Sequence, residues 1–148
     1  MSDLSRCPIP KLSETYWPNT AALGRWRLLF WLFAALLFTL THWPNLQIPS
    51  PVQRTDIILH MSFFGPWTIL CIRYGWFGPP LSMANIWKTA PIAVFYAAFD
   101  EGLQAIPWIQ RTASIEDFGA NCAGVFMGAT LCMAWSELLS RKLRQSEG

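Results

Sequence analysis

Residues 96–128, with the sequence YAAFDEGLQAIPWIQRTASIEDFGANCAGVFMG, carry many polar side chains inside a strongly apolar chain. Helical spacing places Tyr96, Asp100 and Gln104 on one stripe, because residues four apart lie on the same face of a helix. Charged groups at membrane depth are costly and are rarely kept there without a partner or a function. This stretch therefore predicts a polar site inside a helical membrane protein.

A second stripe follows in the same segment. Asp117, Asn121, Gly124 and Gly128 are spaced by three or four residues, which places them on one face of another helix. A short loop that contains Arg111 separates the two stripes. We expect the stripes to face each other across a helical hairpin.

The motif Asp56-x-x-x-His60 precedes both stripes, and the complete pattern resembles the VanZ-like family of small polytopic membrane proteins. The residues that carry the resemblance are Asp56, His60, Tyr96, Asp100, Glu101, Gln104, Arg111, Ser114, Asp117, Asn121 and Gly124. They span about half of the chain, and Ile57 stands where the family usually has a lysine after the first aspartate. Because the biochemical activity of that family is poorly defined, the resemblance implies a fold and a site rather than a reaction.

The composition also favours a membrane protein. The chain has 148 residues, of which 53% are hydrophobic and 14% charged, whereas soluble domains have about 25% charged residues. A net charge of +2 without a basic, aromatic-rich run argues against nucleic-acid binding. The four cysteines show no metal-ligand spacing, so we predict no metal and no cofactor.

Four apolar segments separated by proline-rich or glycine-rich turns predict an all-α, four-transmembrane-helix bundle. The expected helices cover about residues 23–42, 55–74 and 115–139, and a third helix that begins between residues 82 and 91 and ends near residue 106. Each is close to the ~20 residues that a bilayer requires. We expect an N-terminal cytoplasmic arm (1–24), a transmembrane domain (25–140) and a basic cytoplasmic tail (141–148).

The basic residues predict the orientation. With four spans, the two termini and the middle loop share one side, and every arginine and lysine except Arg54 and Arg111 falls there. The positive-inside rule then places both termini in the cytoplasm of a bacterial inner membrane. The polar residues at the end of the third segment and at the beginning of the fourth would then face the outside.

Asp100 and Glu101 cannot both face one groove, because adjacent helical residues point about 100° apart. Asp100 shares the stripe of Tyr96 and Gln104 and is the better candidate for an inward-facing site. Glu101 is expected to meet a neighbouring helix, Arg111 or Arg54. A purely structural ion pair between the third and fourth helices is the alternative to a ligand site.

The other candidates also have structural alternatives. Ser114 and Asp117 have the spacing of a capping box, which explains both without a ligand. Asn121 needs a hydrogen-bond partner, for which Asp100 or Gln104 is expected. His60 lies one turn after Asp56 and is expected either to pair with it or to join the site.

Three further residues complete the candidate set. The Arg111 guanidinium suits a bidentate contact with phosphate or carboxylate, or else neutralises the neighbouring acids. Gly124 and Gly128 form G-x-x-x-G, which predicts close helix packing within the chain or with another subunit. His42, at the end of the first helix, is expected to lie at the membrane interface.

The sequence therefore predicts an outward-facing pocket that binds an envelope ligand, such as a lipid headgroup or a cell-wall intermediate. It leaves open whether the protein is an enzyme. The alternative is a non-enzymatic accessory subunit of a larger membrane complex, which would pack through tryptophan- and phenylalanine-rich surfaces.

Overall fold

Four α-helices make up most of the part of the chain that the structure, a computed structural model, describes: residues 19–43, 55–109 and 113–146, without the side chain of Asp56. The helices are α1 (Thr20–His42), α2 (Thr55–Tyr74), α3 (Met83–Gln104) and α4 (Ile115–Ser146). The predicted all-α class is confirmed, and within the described residues no strand occurs.

Local side-chain contacts define the helix starts. Asn19 Oδ1 accepts a hydrogen bond from Ala22 N at 2.8 Å and begins α1 three residues before the predicted start. Ser82 Oγ accepts from Asn85 N at 3.2 Å and begins α3, so Pro91 lies inside this helix. These oxygens bind amide groups that have no partner within the helix.

The fourth helix is longer than predicted. It continues to Ser146, past the expected end near residue 139. Glu137 accepts a hydrogen bond from Arg141 Nε at 3.1 Å, and Arg144 lies 3.8 Å from the same carboxylate oxygen. The Glu137–Arg141 pair, four residues apart, stabilises the exposed helix by a few tenths of a kcal/mol. The helix continues past the apolar stretch into the basic residues.

Contacts at the helix ends show how the helices run. At one end, the last turn of α1 contacts the last turn of α3, and the beginning of α2 contacts the beginning of α4. At the opposite end, the guanidinium of Arg73 lies between the rings of Trp26 and Trp135, 4.4 and 4.9 Å from their centroids. The helices therefore run alternately up and down, and α3 extends along the bundle between its two ends.

The closest helix approach is between α2 and α4. A Cβ atom at Gly124 would lie 2.6 Å from Met61 O and 3.0 Å from Gly65 N, and one at Gly128 would lie 2.5 Å from Gly65 O. The predicted G-x-x-x-G face is therefore buried inside the chain against α2, where it allows backbone contact. It is not available to another subunit.

The outer surface of the bundle is apolar. Large side chains such as Trp87, Phe95 and Phe126 are exposed on it. The helices α1 and α4, together with Ile57–Tyr74 of α2, are long and apolar enough to cross a membrane. The chain thus has the character of an integral membrane protein. Helix α3, which carries Lys88, Asp100 and Glu101, is not among these candidate spans.

Candidate functional site

Asp100 lies at the centre of a buried group of polar residues from all four helices. Its side chain is almost completely enclosed, with a relative exposure of 1%. Its Oδ1 accepts a hydrogen bond from Thr41 Oγ1 at 2.9 Å, and its Oδ2 accepts one from Gln104 Nε2 at 3.4 Å. His42 Nδ1 lies 3.7 Å from Oδ1 and forms an ion pair whenever the ring is protonated. The carboxylate thus connects α1 with α3.

Glu101 points in a different direction from Asp100, as expected for adjacent helical residues. It is also buried, and its Oε1 accepts a hydrogen bond from Ser114 N at 2.6 Å. Ser114 Oγ in turn accepts bonds from the amides of Glu116 and Asp117 at 3.2 and 3.4 Å. The expected cap at Ser114 is therefore present, and a carboxylate from α3 binds the amide of the capping residue itself.

His60 and Asn121 form a pair between α2 and α4. His60 Nδ1 and Asn121 Oδ1 are 3.0 Å apart, and both side chains are buried. Because an amide oxygen only accepts, His60 Nδ1 donates this bond. Asn121 was predicted to bond to Asp100 or Gln104, and this prediction was wrong. The rotation of α4 about its axis directs the Asn121 side chain towards α2 instead.

We call the eight residues that meet here the polar cluster: Thr41, His42, His60, Asp100, Glu101, Gln104, Ser114 and Asn121. His60 is close enough to Asp100 and Glu101 to interact with both electrostatically, which ties the α2–α4 pair to the two carboxylates. Two carboxylates and two imidazoles are thus enclosed at one end of the bundle.

His42 adopts a defined orientation in the polar cluster. Its ring stacks on Phe38 with centroids 4.2 Å apart. Its Nδ1 lies 2.8 Å from Thr41 Oγ1 and 3.0 Å from Phe38 O. Because Phe38 O can only accept and the Thr41 hydroxyl donates to Asp100, we assign the proton to Nδ1. In the neutral ring the proton is then on Nδ1, and Nε2 carries a free electron pair.

Three buried polar atoms of the polar cluster have no hydrogen-bond partner among the described residues. They are His42 Nε2, Glu101 Oε2 and Asn121 Nδ2. A buried polar atom without a partner costs about 1–3 kcal/mol, and more when the group is charged. In native proteins such atoms are explained by strain, by a catalytic role, or by a water, an ion or another molecule that supplies the missing bond.

The remaining predicted residues lie around or outside the polar cluster. Tyr96 is one turn from Asp100 and packs against Trp67, with ring centroids 5.0 Å apart, so it belongs to the apolar layer next to the polar cluster. Asp117 is partly buried in the first turn of α4, near enough to Glu101 for an electrostatic interaction. Arg111 and the side chain of Asp56 lie outside the described residues.

Two members of the polar cluster, Thr41 and His42, were not predicted. The interface position of His42 stays a prediction, and its Nδ1 faces Asp100 with only a small part of the side chain exposed. The sequence feature that could have indicated them is the pair of adjacent polar residues at the end of the apolar first helix. In an up-and-down four-helix bundle, the end of the first helix lies beside the end of the third, where Asp100 is.

Comparison with known proteins did not place the chain in a family. No protein-family model matches it, and neither a curated protein nor a solved structure does. The resemblance to the VanZ-like family therefore stays a prediction that rests on the quoted residues.

Proposed function

We propose that this chain is a bacterial inner-membrane protein of VanZ-like type that binds an envelope ligand, either a lipid headgroup or a cell-wall intermediate, in the polar cluster. The observation that supports this proposal is the set of unpartnered buried atoms on His42, Glu101 and Asn121. A ligand that bonds to them recovers free energy that the folded chain alone loses. The proposal is one of binding.

A purely structural role explains the contacts of Asp100 and one oxygen of Glu101. Asp100 is bonded through both oxygens to α1 and to its own helix, and Glu101 Oε1 fixes the start of α4. Within the part of the chain that the structure describes, such a role gives no reason to bury Glu101 Oε2 and Asn121 Nδ2 without partners. These two atoms therefore favour a ligand site over a structural ion pair.

We further propose that α3 is a fourth span and that both termini are cytoplasmic. Helix α3 lies alongside three helices of transmembrane character, and its polar residues at positions 100–104 are buried between them. The distribution of basic residues then places the polar cluster near the outer face.

Cysteine labelling tests this orientation. We expect a Gln110→Cys variant, with the four native cysteines replaced by alanine, to react with an impermeant maleimide added outside intact cells. Position 110 follows α3 and precedes α4, on the side that the positive-inside rule assigns to the exterior. Labelling of this cysteine only after the membrane is permeabilised would contradict the proposed orientation.

Two substitutions in α3 test the functional role of the polar cluster. We expect Asp100→Asn and Gln104→Leu to abolish complementation of a deletion strain, scored as sensitivity to envelope-directed antibiotics, while the protein is still inserted in the membrane. Asparagine keeps the shape of the side chain but removes its charge. Glu137→Gln, at an exposed position of α4, is the matched control and should complement fully. Full complementation by Asp100→Asn at normal abundance would refute the ligand-site proposal.

An accessory subunit of a membrane complex is the second candidate function. Only 11% of the most apolar window of α1 is buried within the chain, so most of this helix is open to lipid or to another protein. Gentle purification separates the two candidates, because a subunit should migrate with its complex and a ligand-binding protein should not.

A further inference from the structure

We propose that the ligand of the polar cluster presents a pair of neighbouring hydroxyl groups, as in a glycosyl or glycerol headgroup; this inference rests on the proposed function above. The unpartnered atoms differ in their hydrogen-bonding character. Glu101 Oε2 is an acceptor, Asn121 Nδ2 is a donor, and His42 Nε2 is an acceptor in the neutral ring. The complementary ligand group must therefore both donate and accept.

Because these side chains are buried, the ligand itself must supply both the donor and the acceptor. Glu101 has a relative exposure of 5% and Asn121 of 0%, so bulk water does not supply the missing bonds. Glu101 bonds to the amide of Ser114, and Asn121 lies seven residues further along, on the same face of α4. Asn121 bonds to His60, which is near enough to Glu101 for an electrostatic interaction. In this proposal one headgroup bonds to both residues.

Three common headgroup chemistries differ in how well they satisfy the polar cluster. A phosphate only accepts, so it would bond to Asn121 but be repelled by Asp100 and Glu101. An ammonium only donates, so it would bond to Glu101 and His42 but leave Asn121 Nδ2 unpartnered. Hydroxyl groups donate and accept, and two neighbouring ones can satisfy Glu101 and Asn121 together. Of these three chemistries, the vicinal diol fits the described atoms best.

The test measures which lipid the purified full-length chain retains. The chain is reconstituted in phosphatidylcholine nanodiscs that contain one added lipid: monoglucosyl diacylglycerol, phosphatidylglycerol, phosphatidylethanolamine or phosphatidic acid. The first two present vicinal hydroxyl groups, the third presents an ammonium, and the last presents a phosphomonoester. Phosphatidylglycerol and phosphatidylethanolamine also carry a phosphodiester, which the phosphatidylcholine background shares and which therefore does not distinguish them from it. Native mass spectrometry then gives the fraction of protein that carries each lipid.

We expect preferential retention of the diol lipids. Retention of the glucosyl lipid alone identifies a glycosyl source, retention of phosphatidylglycerol alone identifies a glycerol source, and retention of both identifies the shared diol. Each of these results supports the inference. Glu101→Gln should reduce retention about 10-fold or more, because it replaces the free acceptor by a donor while Oε1 still binds Ser114 N.

Two further variants make the result interpretable. His42→Asn keeps a donor near the position of Nδ1 and removes Nε2, so it should also weaken retention, and it serves if Glu101→Gln fails to fold. Glu137→Gln makes the same chemical change as Glu101→Gln at an exposed site and should retain the diol lipids as the wild type does.

Other outcomes overturn the inference. Retention of phosphatidylethanolamine or phosphatidic acid in preference to the diol lipids, with loss in Glu101→Gln, refutes the diol while leaving the ligand site in place. Equal retention of all lipids by the wild type and Glu101→Gln refutes the diol as well. Failure of the proposed function is recognised separately, by full complementation with Asp100→Asn in the deletion strain.

Discussion

Alanine at both Gly124 and Gly128 is expected to destabilise the bundle by at least ~1–3 kcal/mol, the cost of overpacking one such position. The two costs do not simply add, because both new methyl groups would contact Gly65. The new methyl groups would lie 2.6 Å from Met61 O and 2.5 Å from Gly65 O, which are backbone atoms of α2. Backbone cannot rotate away as a flexible side chain can, so α2 and α4 must move apart. The free energy of unfolding in detergent micelles measures the loss.

Gly119→Ala is the matched control on the same helix. A Cβ atom at Gly119 meets no atom within 4 Å, and alanine is favoured over glycine in a helix by about 1 kcal/mol. We therefore expect unchanged or slightly increased stability. If the double alanine variant were as stable as Gly119→Ala, the close approach of α2 and α4 would be wrong.

Thr41→Val is expected to lower stability by about 1–3 kcal/mol, the cost of leaving a buried acceptor without its donor. Valine keeps the shape of the side chain but removes the hydroxyl that donates to Asp100 Oδ1 at 2.9 Å. The buried carboxylate would then lack one of its two hydrogen-bond donors, because only Gln104 remains bonded to it among the described residues. Thermal unfolding in one detergent gives the comparison.

Thr39→Val provides the control for this change. Thr39 is exposed on the same helix, and its hydroxyl bonds only to the carbonyl oxygen of Ala35 among the described contacts. The same substitution there should change stability by less than about 0.5 kcal/mol. Equal effects at positions 39 and 41 would mean that Thr41 does not support Asp100.

Much of the helical architecture could be predicted from the sequence. The bounds of α2 agree with the expected residues 55–74, because a proline-rich segment precedes it and Gly75, with a φ of 78°, follows it. The end of α4 was not predicted, because the expectation rested on the apolar stretch. Residues beyond it remain helical through local charge pairs and need no membrane around them.

The candidate site could be predicted only in part. The helical periodicity of residues 96–104 was enough to predict that Asp100 and Gln104 lie on one stripe and that Glu101 lies on a different face. The partners across helices were not accessible, because spacing within a helix does not say how that helix is rotated against its neighbours. For this reason Thr41 and His42 were missed as partners of Asp100, and His60 was missed as the partner of Asn121.

The central claim is that the unpartnered atoms of Glu101 and Asn121 bind a molecule from the native membrane. Mass spectrometry of the small molecules extracted from the purified chain tests it most directly, with wild type, Glu101→Gln and Glu137→Gln prepared from the same host. We expect one species to be enriched over bulk lipid in the wild type and in Glu137→Gln, and to be lost from Glu101→Gln. The same profile in all three preparations would contradict the claim.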